Sequence, residues 1–381
     1  MTHPAATPPV WEEGDPLGLP PLAGAHEVDA CVVGLGGSGL AAVRELLQRG
    51  RRVLGIDAGA VAGSAAGRNG GFLLAGLARF YHETVASLGR DRALALYRAT
   101  LEGIDRMAAE SPGLVRRTGS LRIATDAEEL ADCEAQLAAM HADGLPAEPW
   151  DGPEGHGLLF PGDGVYQPLA RCRALARDAL AQGARLHEAS PAIDLGPGRV
   201  RTPDAEISCD TVIVAVDGGL ERILPSLAGR VRTARLQMLA TEPLPAVRFT
   251  RPVYYRWGYE YWQQLPGGRL ALGGFRDLGG GEEWTAVAEP SAGVQALLDR
   301  FLHQHLGVHA AVTHRWAAPV GFTSDGLPVV CEVQPGLWAL GGYGGTGNVV
   351  GMLAGTWVAA AVAGSRPPLL DLLSSPVALP A

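Results

Sequence analysis

The residues Gly34-Leu35-Gly36-Gly37-Ser38-Gly39 carry the first recognisable chemistry in this chain. An apolar run, Val28 to Val33, leads into them. A helical pattern with Leu40, Val43 and Leu47 on one face follows and is stopped by Gly50. A second apolar run, Val53 to Ile56, ends in Asp57. Strand, glycine turn, helix and acid-tipped strand together make the βαβ unit of a dinucleotide site. Gly34 makes the tight turn, Gly36 lets the backbone approach a pyrophosphate, and Gly39 lets the helix pack on the strand. The helix N-terminus offers N–H groups and a positive dipole end to phosphate. Asp57 stands where a carboxylate accepts hydrogen bonds from an adenosine ribose; a 2′-phosphate is repelled there, which disfavours NADP.

A second set of candidates lies between Arg251 and Gly274. Tyr254, Tyr255, Trp257, Tyr259, Tyr261 and Trp262 include four of the chain's 8 tyrosines. The stretch reads as a hairpin turning at Pro266-Gly267-Gly268. Its rings could wall a water-poor pocket, with a phenol orienting a substrate. Strand alternation puts Tyr255, Trp257, Tyr259 and Tyr261 on one face and Tyr254, Arg256, Glu260 and Trp262 on the other. Core packing accounts for any single ring equally well, and the choice of face stays open. Tyr255, Tyr261 and Arg256 are the catalytic candidates. His303, His305, His309 and His314 straddle a helix stop at Gly307 with no carboxylate interleaved, so no metal site is expected.

These groups need elements to hold them. A loop of small residues, Gly59 to Gly71, contains Arg68 and Asn69 and is suited to lie against a flat ligand. Helical patterns cover Arg92–Glu110, Ala127–Ala142, Pro168–Gln182 and Ser291–Leu306. Gly144–Gly164 reads as a crossing loop, and Thr211–Val216 as a buried strand delivering Asp217-Gly218-Gly219. The strand Leu337–Leu340 leads through Gly341-Gly342-Tyr343-Gly344-Gly345-Thr346-Gly347 into a long apolar helix. That helix, uncharged from Thr346 to Ser365 and ridged by Gly347, Gly351 and Gly355, is close to bilayer length. It stands alone with no basic cluster beside it, so it is expected to be buried in protein and not to span a membrane. Dinucleotide-type features at both ends of the chain imply a domain assembled from distant segments and interrupted twice by a second one.

Composition narrows the partners. The chain has 381 residues, 47% hydrophobic and 19% charged, with a net charge of −9. It can bury a large core, and no basic run is present to track a nucleic-acid backbone. Cys31, Cys133, Cys172, Cys209 and Cys331 are scattered and odd in number, as expected of free thiols in a reducing cytoplasm. Residues 1–26 lack the basic and apolar regions of a signal peptide and are expected to form a surface tail pinned by Trp11.

Four motifs in order make the chain resemble a known family. They are the βαβ start; Gly67-Arg68-Asn69-Gly70-Gly71; Trp316 followed by Thr323-Ser324-Asp325-Gly326-Leu327-Pro328; and Gly342-Tyr343-Gly344-Gly345-Thr346-Gly347. The family is that of the D-amino-acid-oxidase-like flavoproteins, which includes glycine oxidase, sarcosine oxidase and gamma-glutamylputrescine oxidase. The Gly-Arg-Asn-Gly-Gly loop is most similar to the last branch. The resemblance covers residues 27–365. It implies an α/β fold: a Rossmann-type FAD-binding domain from segments 27–85, 157–225 and 315–381, and an α+β substrate domain with a mostly antiparallel sheet from 86–156 and 226–314. It implies that Gly34, Gly36 and Gly39 approach the FAD pyrophosphate and Asp57 the ribose. Arg68, Asn69, Gly70 and Gly71 would lie along the isoalloxazine, and Gly344, Gly345, Thr346 and Gly347 at its pyrimidine edge.

The departures from the family pattern are informative. Thr346 stands where the putrescine-type branch commonly has His, and Ala66 where Ser often precedes the Gly-Arg-Asn-Gly-Gly loop. Val320 occupies the position, four residues after the Trp, of the Arg that clamps a substrate carboxylate in glycine-oxidase-like members. Arg256, Arg276 or Arg315 would have to replace it. No Cys lies between Trp316 and Thr323, where sarcosine oxidases attach their flavin, so FAD is expected to be non-covalent. The leading expectation is oxidation of a C–N bond in a primary or secondary amine, with molecular oxygen or another carrier accepting the electrons. An amino-acid oxidase or dehydrogenase with a relocated Arg is the alternative within enzymes. A flavin-binding subunit without turnover of its own is the alternative outside them, and oligomeric state is left open.

Overall fold

The structure is a computed structural model that describes residues 5–12 and 14–373. The chain forms two compact units. The first comprises Glu13–Gly67, Pro168–Thr233 and the chain from Val320 onward. The second comprises the N-terminal segment through Glu12, Arg68–Gln167 and Ala234–Pro319.

The first unit is built on five parallel strands in the order Arg185–His187, Val53–Ile56, Gly24–Val33, Ala205–Val214 and Leu337–Gly341. Antiparallel strands flank them: Arg199–Arg201 and Asp194–Gly196 on the early half of Ala205–Val214, and Val329–Gln334 beside Leu337–Gly341. Ala30 to Val33 and Val212 to Val214 are buried without alternation, as expected for parallel strands covered on both faces. Helices Gly37–Gln48, Pro168–Ala181 and Gly347–Val362 belong to this unit. The first and last cross closely: a Cβ at Gly355 would fall 2.0 Å from the Ser38 carbonyl oxygen. This contact explains the small-residue ridge. Gly347–Val362 has 16 residues, and no helix among the described residues is long and apolar enough to cross a membrane.

The second unit holds an eight-stranded, mostly antiparallel sheet. Its order is Val312–Thr323, Val231–Pro243, Arg269–Gly274, Glu260–Gln264, Val253–Tyr255, Ser120–Ile123, Gly155–Phe160 and Glu148–Gly152. One face carries Leu121, Val253, Trp262, Leu270 and Leu272 and is covered by Val294, Leu298 and Leu302 of the segment Ala292–His305. A small sheet of Phe72–Leu73, Gly164–Tyr166 and Val115–Arg116 stands apart. Helix Ala127–Ala142 begins at Asp126, whose carboxylate caps the N–H groups of Glu128 and Glu129.

Several expectations need correction. The segment Gly144–Gly164 contains a hairpin, Glu148–Gly152 with Gly155–Phe160. Its glycines hide the strand pattern, yet one is required, because a Cβ at Gly157 would fall 1.9 Å from the Arg122 carbonyl oxygen. Residues 68–85 and 157–167 lie in the second unit, since Phe72–Leu73 and Gly164–Tyr166 pair with each other and not with the parallel sheet. Residues 14–26 belong to the first unit, and the strand there starts at Gly24. The part of the expected 315–381 segment beyond residue 373 lies outside the described residues.

Arg251–Gly274 is three strands and not one hairpin. Arg256, Trp257 and Gly258 take φ values of 49°, 52° and 85°, and this left-handed turn breaks the alternation. Tyr254 pairs directly with Tyr261, and Tyr255 lies on the opposite face with Trp262.

Candidate functional site

In the first unit, the turn after strand Gly24–Val33 is fixed by Asp57. Its Oδ2 accepts the Leu35 N–H at 2.8 Å and its Oδ1 the Gly59 N–H at 2.9 Å. Burial raises the Asp57 pKa, and the two N–H groups oppose that shift. Glu188, itself buried, ties down the neighbouring loop by accepting from Val61 (2.8 Å) and Leu19 (2.9 Å). Gly34 has φ +100°, and Gly39 packs so close that a Cβ would fall 1.9 Å from the Gly34 carbonyl oxygen. No side chain caps the helix that starts at Gly37, and its first turn carries no acid.

A second uncapped helix N-terminus belongs to the same unit. Asp217 accepts the N–H of Tyr343 at 2.9 Å and that of Gly321 at 3.2 Å, and burial pushes its pKa up to about 6. Gly344 N–H bonds the Gly321 carbonyl at 2.9 Å, and Thr346 turns its hydroxyl back to the Tyr343 carbonyl at 2.9 Å. Helix Gly347–Val362 therefore starts without a side-chain cap. A Cβ at Gly37 or at Gly345 would meet nothing within 4 Å, so the ground at both helix starts is open.

In the second unit, the loop Arg68–Gly71 is pinned carbonyl by carbonyl. Trp316 Nε1 donates to Arg68 O (2.7 Å) and Trp11 Nε1 to Asn69 O (2.8 Å). Gln263 Nε2 donates to Gly70 O, and the Tyr166 N–H to Gly71 O (2.9 Å). Asn69 Oδ1 accepts the Gly71 N–H at 2.8 Å. The Arg68 guanidinium reaches the Ala317 carbonyl at 3.0 Å. Trp11 thus does pin the N-terminal segment, and it is buried in doing so.

Beside this loop lies an aromatic surface. The Tyr261 ring sits over Gly273, where a Cβ would fall 2.5 Å from its Cε2, and within 3.3 Å of where a Cβ at Gly70 would be. Tyr254 stacks on Tyr261 with ring centroids 5.9 Å apart, and Phe72 meets both edge-on. Burial raises both phenol pKa values, that of Tyr254 to about 12, so both are hydroxyls at neutral pH.

A family model described as FAD dependent oxidoreductase (DAO) matches residues 29–361, most of the chain. The chain belongs to this family. Gamma-glutamylputrescine oxidoreductase of Escherichia coli is 26% identical over 360 residues, covering 87% of this chain and 82% of its own. The probable oxidoreductase OrdL of Haemophilus influenzae is 24% identical over 377 residues, covering 91% and 85%. Among solved structures, glycine oxidase from Geobacillus kaustophilus superposes with a TM-score of 0.73 at 22% identity, covering 90% of this chain and 96% of that one. The DAO chain is thus a FAD-dependent oxidoreductase acting on amines or amino acids.

The residues present fit the cofactor. The uncapped helix N-terminus at Gly37, free of acids and behind a turn with no room for side chains, suits a dianionic pyrophosphate. The uncapped start at Gly347, open at Gly345, suits the edge of a flavin ring where negative charge develops on reduction. Each Asp57 oxygen retains a lone pair beyond the N–H it holds, enough to accept a ribose hydroxyl.

The catalytic candidates separate. Tyr261 faces Gly70. Tyr255 does not share its face; it packs against Trp262, Phe301 and His305 under the covering helical segment. Arg256 is held by the carboxylates of Glu260 and Asp277, which raise its pKa. Arg315 donates from Nη2 to both carboxylate oxygens of Asp299 and from Nη1 to Gln295. Two of the three arginines considered for a relocated clamp are therefore engaged in ion pairs, and Arg276 stacks over Trp284 and Tyr259. Sequence reasoning missed Gln263, and it named Asp217 and Tyr254 without giving either a role of its own. Only Asp217, heading a glycine pair at a strand end, carried a readable signal.

Proposed function

We propose that the chain oxidises the C–N bond of a primary or secondary amine, giving an imine that water hydrolyses to a carbonyl compound and an amine or ammonia. Bound FAD would supply the two-electron acceptor for the hydride that leaves the carbon next to nitrogen. We read Gly34, Gly36, Gly39, Asp57, Gly344, Gly345, Thr346 and Gly347 as its holders, joined by Arg68, Asn69, Gly70 and Gly71, with no covalent link. Tyr261 is the residue that orients the amine, by accepting from or donating to its nitrogen. The aromatic wall of Tyr254, Tyr261 and Phe72 excludes water and favours the neutral amine, whose lone pair must be free as hydride leaves.

The observation that supports an amine over an α-amino acid is Val320 at the clamp position. An ionised carboxylate without a cation beside it is costly to bury. Small α-amino acids should therefore be poor reductants. The test is anaerobic mixing of the holoenzyme with a panel of amines and amino acids, following flavin absorbance near about 450 nm. Bleaching by alkylamines and polyamines is the expected result. Fast bleaching by glycine, D-alanine or proline, with none by amines, would overturn it in favour of amino-acid oxidation. A flavin that no member of the panel reduces would favour a subunit without turnover. Repeating the run in air then separates oxygen from another acceptor.

A further inference from the structure

Three polar side chains stand in a row on the sheet face that carries Tyr261. Tyr254 is the direct partner of Tyr261 on one side and of Arg122 on the other, so all three project from the same face of adjacent strands. The Arg122 guanidinium lies 4.2 Å above the Phe80 ring and is half-buried. No described residue forms a hydrogen bond or an ion pair with it. The Asp163 carboxylate, close enough to feel the Arg122 charge, is committed elsewhere, accepting from Ser120 Oγ at 2.6 Å and from the Ala75 N–H at 2.9 Å. The hydroxyls of Tyr254 and Tyr261 likewise have no partner among the described residues. A guanidinium with five donors, partly desolvated and stacked on a ring, is well prepared for a planar anion and poorly used without one.

We propose that Arg122, helped by the Tyr254 hydroxyl, binds a carboxylate that the substrate carries far from its reacting amine. This rests on the amine reading and narrows it to amines with a remote anionic end. Adjacent strands are about 4.8 Å apart, so Arg122 lies two strand spacings, roughly 10 Å, from Tyr261. That separation suits a chain of about seven methylenes, or a shorter one carrying an amide. The arrangement resolves the missing charge at Val320: the anion is recognised, but not at the carbon that is oxidised. Phosphate could use the same donors, though a flat two-oxygen group matches the guanidinium fork better.

The test compares 8-aminooctanoate with 8-aminooctanamide, alike except for the charge, as reductants of the holoenzyme. The wild type should prefer the acid by about tenfold or more in kcat/KM, mostly through KM. Arg122→Gln should erase that preference and leave the amide within about twofold of wild type, and Arg122→Lys should restore part of it. Octanoate binding, followed by calorimetry, should be measurable in the wild type and lost in Arg122→Gln; octyl phosphate serves as the competing anion. Equal use of acid and amide by the wild type, or a preference that survives Arg122→Gln, overturns the proposal. Octanoate binding that requires Arg122 in an enzyme that oxidises no amine would sink the amine reading while leaving the anion site standing.

Discussion

Trp316 and Arg68 hold each other's strand and loop. The indole N–H donates to the Arg68 carbonyl at 2.7 Å, and the Arg68 guanidinium returns a bond to the carbonyl of Ala317, the residue after Trp316. Two motifs separated by most of the chain are thus one structural object. Trp316 is only 1% exposed, so its loss cannot be made good by water. Trp316→Phe keeps most of the volume and removes the donor. It should destabilise the protein by about 1–3 kcal/mol, from the lost hydrogen bond and the volume removed at a buried ring. Chemical denaturation with an unchanged m-value would verify this, and a midpoint equal to that of wild type would contradict it.

Asp57 serves two backbone N–H groups within the protein before it meets any ribose. Asp57→Ala should therefore weaken FAD binding by about 10- to 100-fold and also lower the stability of the apoprotein. Asp57→Asn keeps one acceptor and should fall between. Fluorescence titration of apoprotein with FAD, beside a melting curve without it, separates the two effects. An apoprotein as stable as wild type would deny the structural half.

Asp163 is 4% exposed and its pKa is raised by burial to about 7, although Ser120, Ala75 and nearby arginines oppose the shift. A carboxyl whose folded pKa exceeds its unfolded value stabilises fully at low pH and loses that contribution as pH rises through the folded value. Wild type should therefore lose stability relative to Asp163→Asn between about pH 4 and pH 7. Paired melting curves across that range test the sign. A difference that is flat, or that grows in favour of wild type, would show that Asp163 is ionised throughout.

Gly355 and Gly293 offer a matched contrast. A Cβ at Gly355 meets the Ser38 carbonyl, while one at Gly293, in helix Ala292–Arg300, meets nothing. Gly355→Ala should destabilise by about 1–3 kcal/mol. Gly293→Ala should stabilise by about 0.5–1 kcal/mol, because only the unfolded chain loses freedom. Equal effects of the two substitutions would mean that the helix crossing adjusts.

What the sequence made legible follows the range of the interactions. The unit from Gly34 to Asp57 is contiguous, and its glycine spacing carries its geometry. The loop Arg68–Gly71 was visible as unusual. Its four anchors were not, because Trp11, Tyr166, Gln263 and Trp316 come from four distant segments and only the folded chain gathers them. The faces of the aromatic strands were misread for a local reason. Arg256 and Trp257 adopt a left-handed backbone that their side chains do not advertise, and three residues outside the alternation reset it. The hairpin at Glu148–Phe160 was hidden by glycines whose role is close approach and not flexibility.

The crossing of Ser38 and Gly355 also fixes an order of events on the ribosome. Helix Gly37–Gln48 is made long before the helix that covers its small-residue face, Gly347–Val362. The strand Leu337–Gly341, which lies beside Ala205–Val214, emerges equally late. For most of translation the early helix must wait with that face uncovered, in need of shielding from aggregation. The helix start at Gly347 does not yet exist, so, on the cofactor placement proposed above, FAD would have only part of its cradle to stabilise in a chain stalled before residue 347. On that placement, cofactor binding would reward chains translated past residue 347 over those that stop short of it.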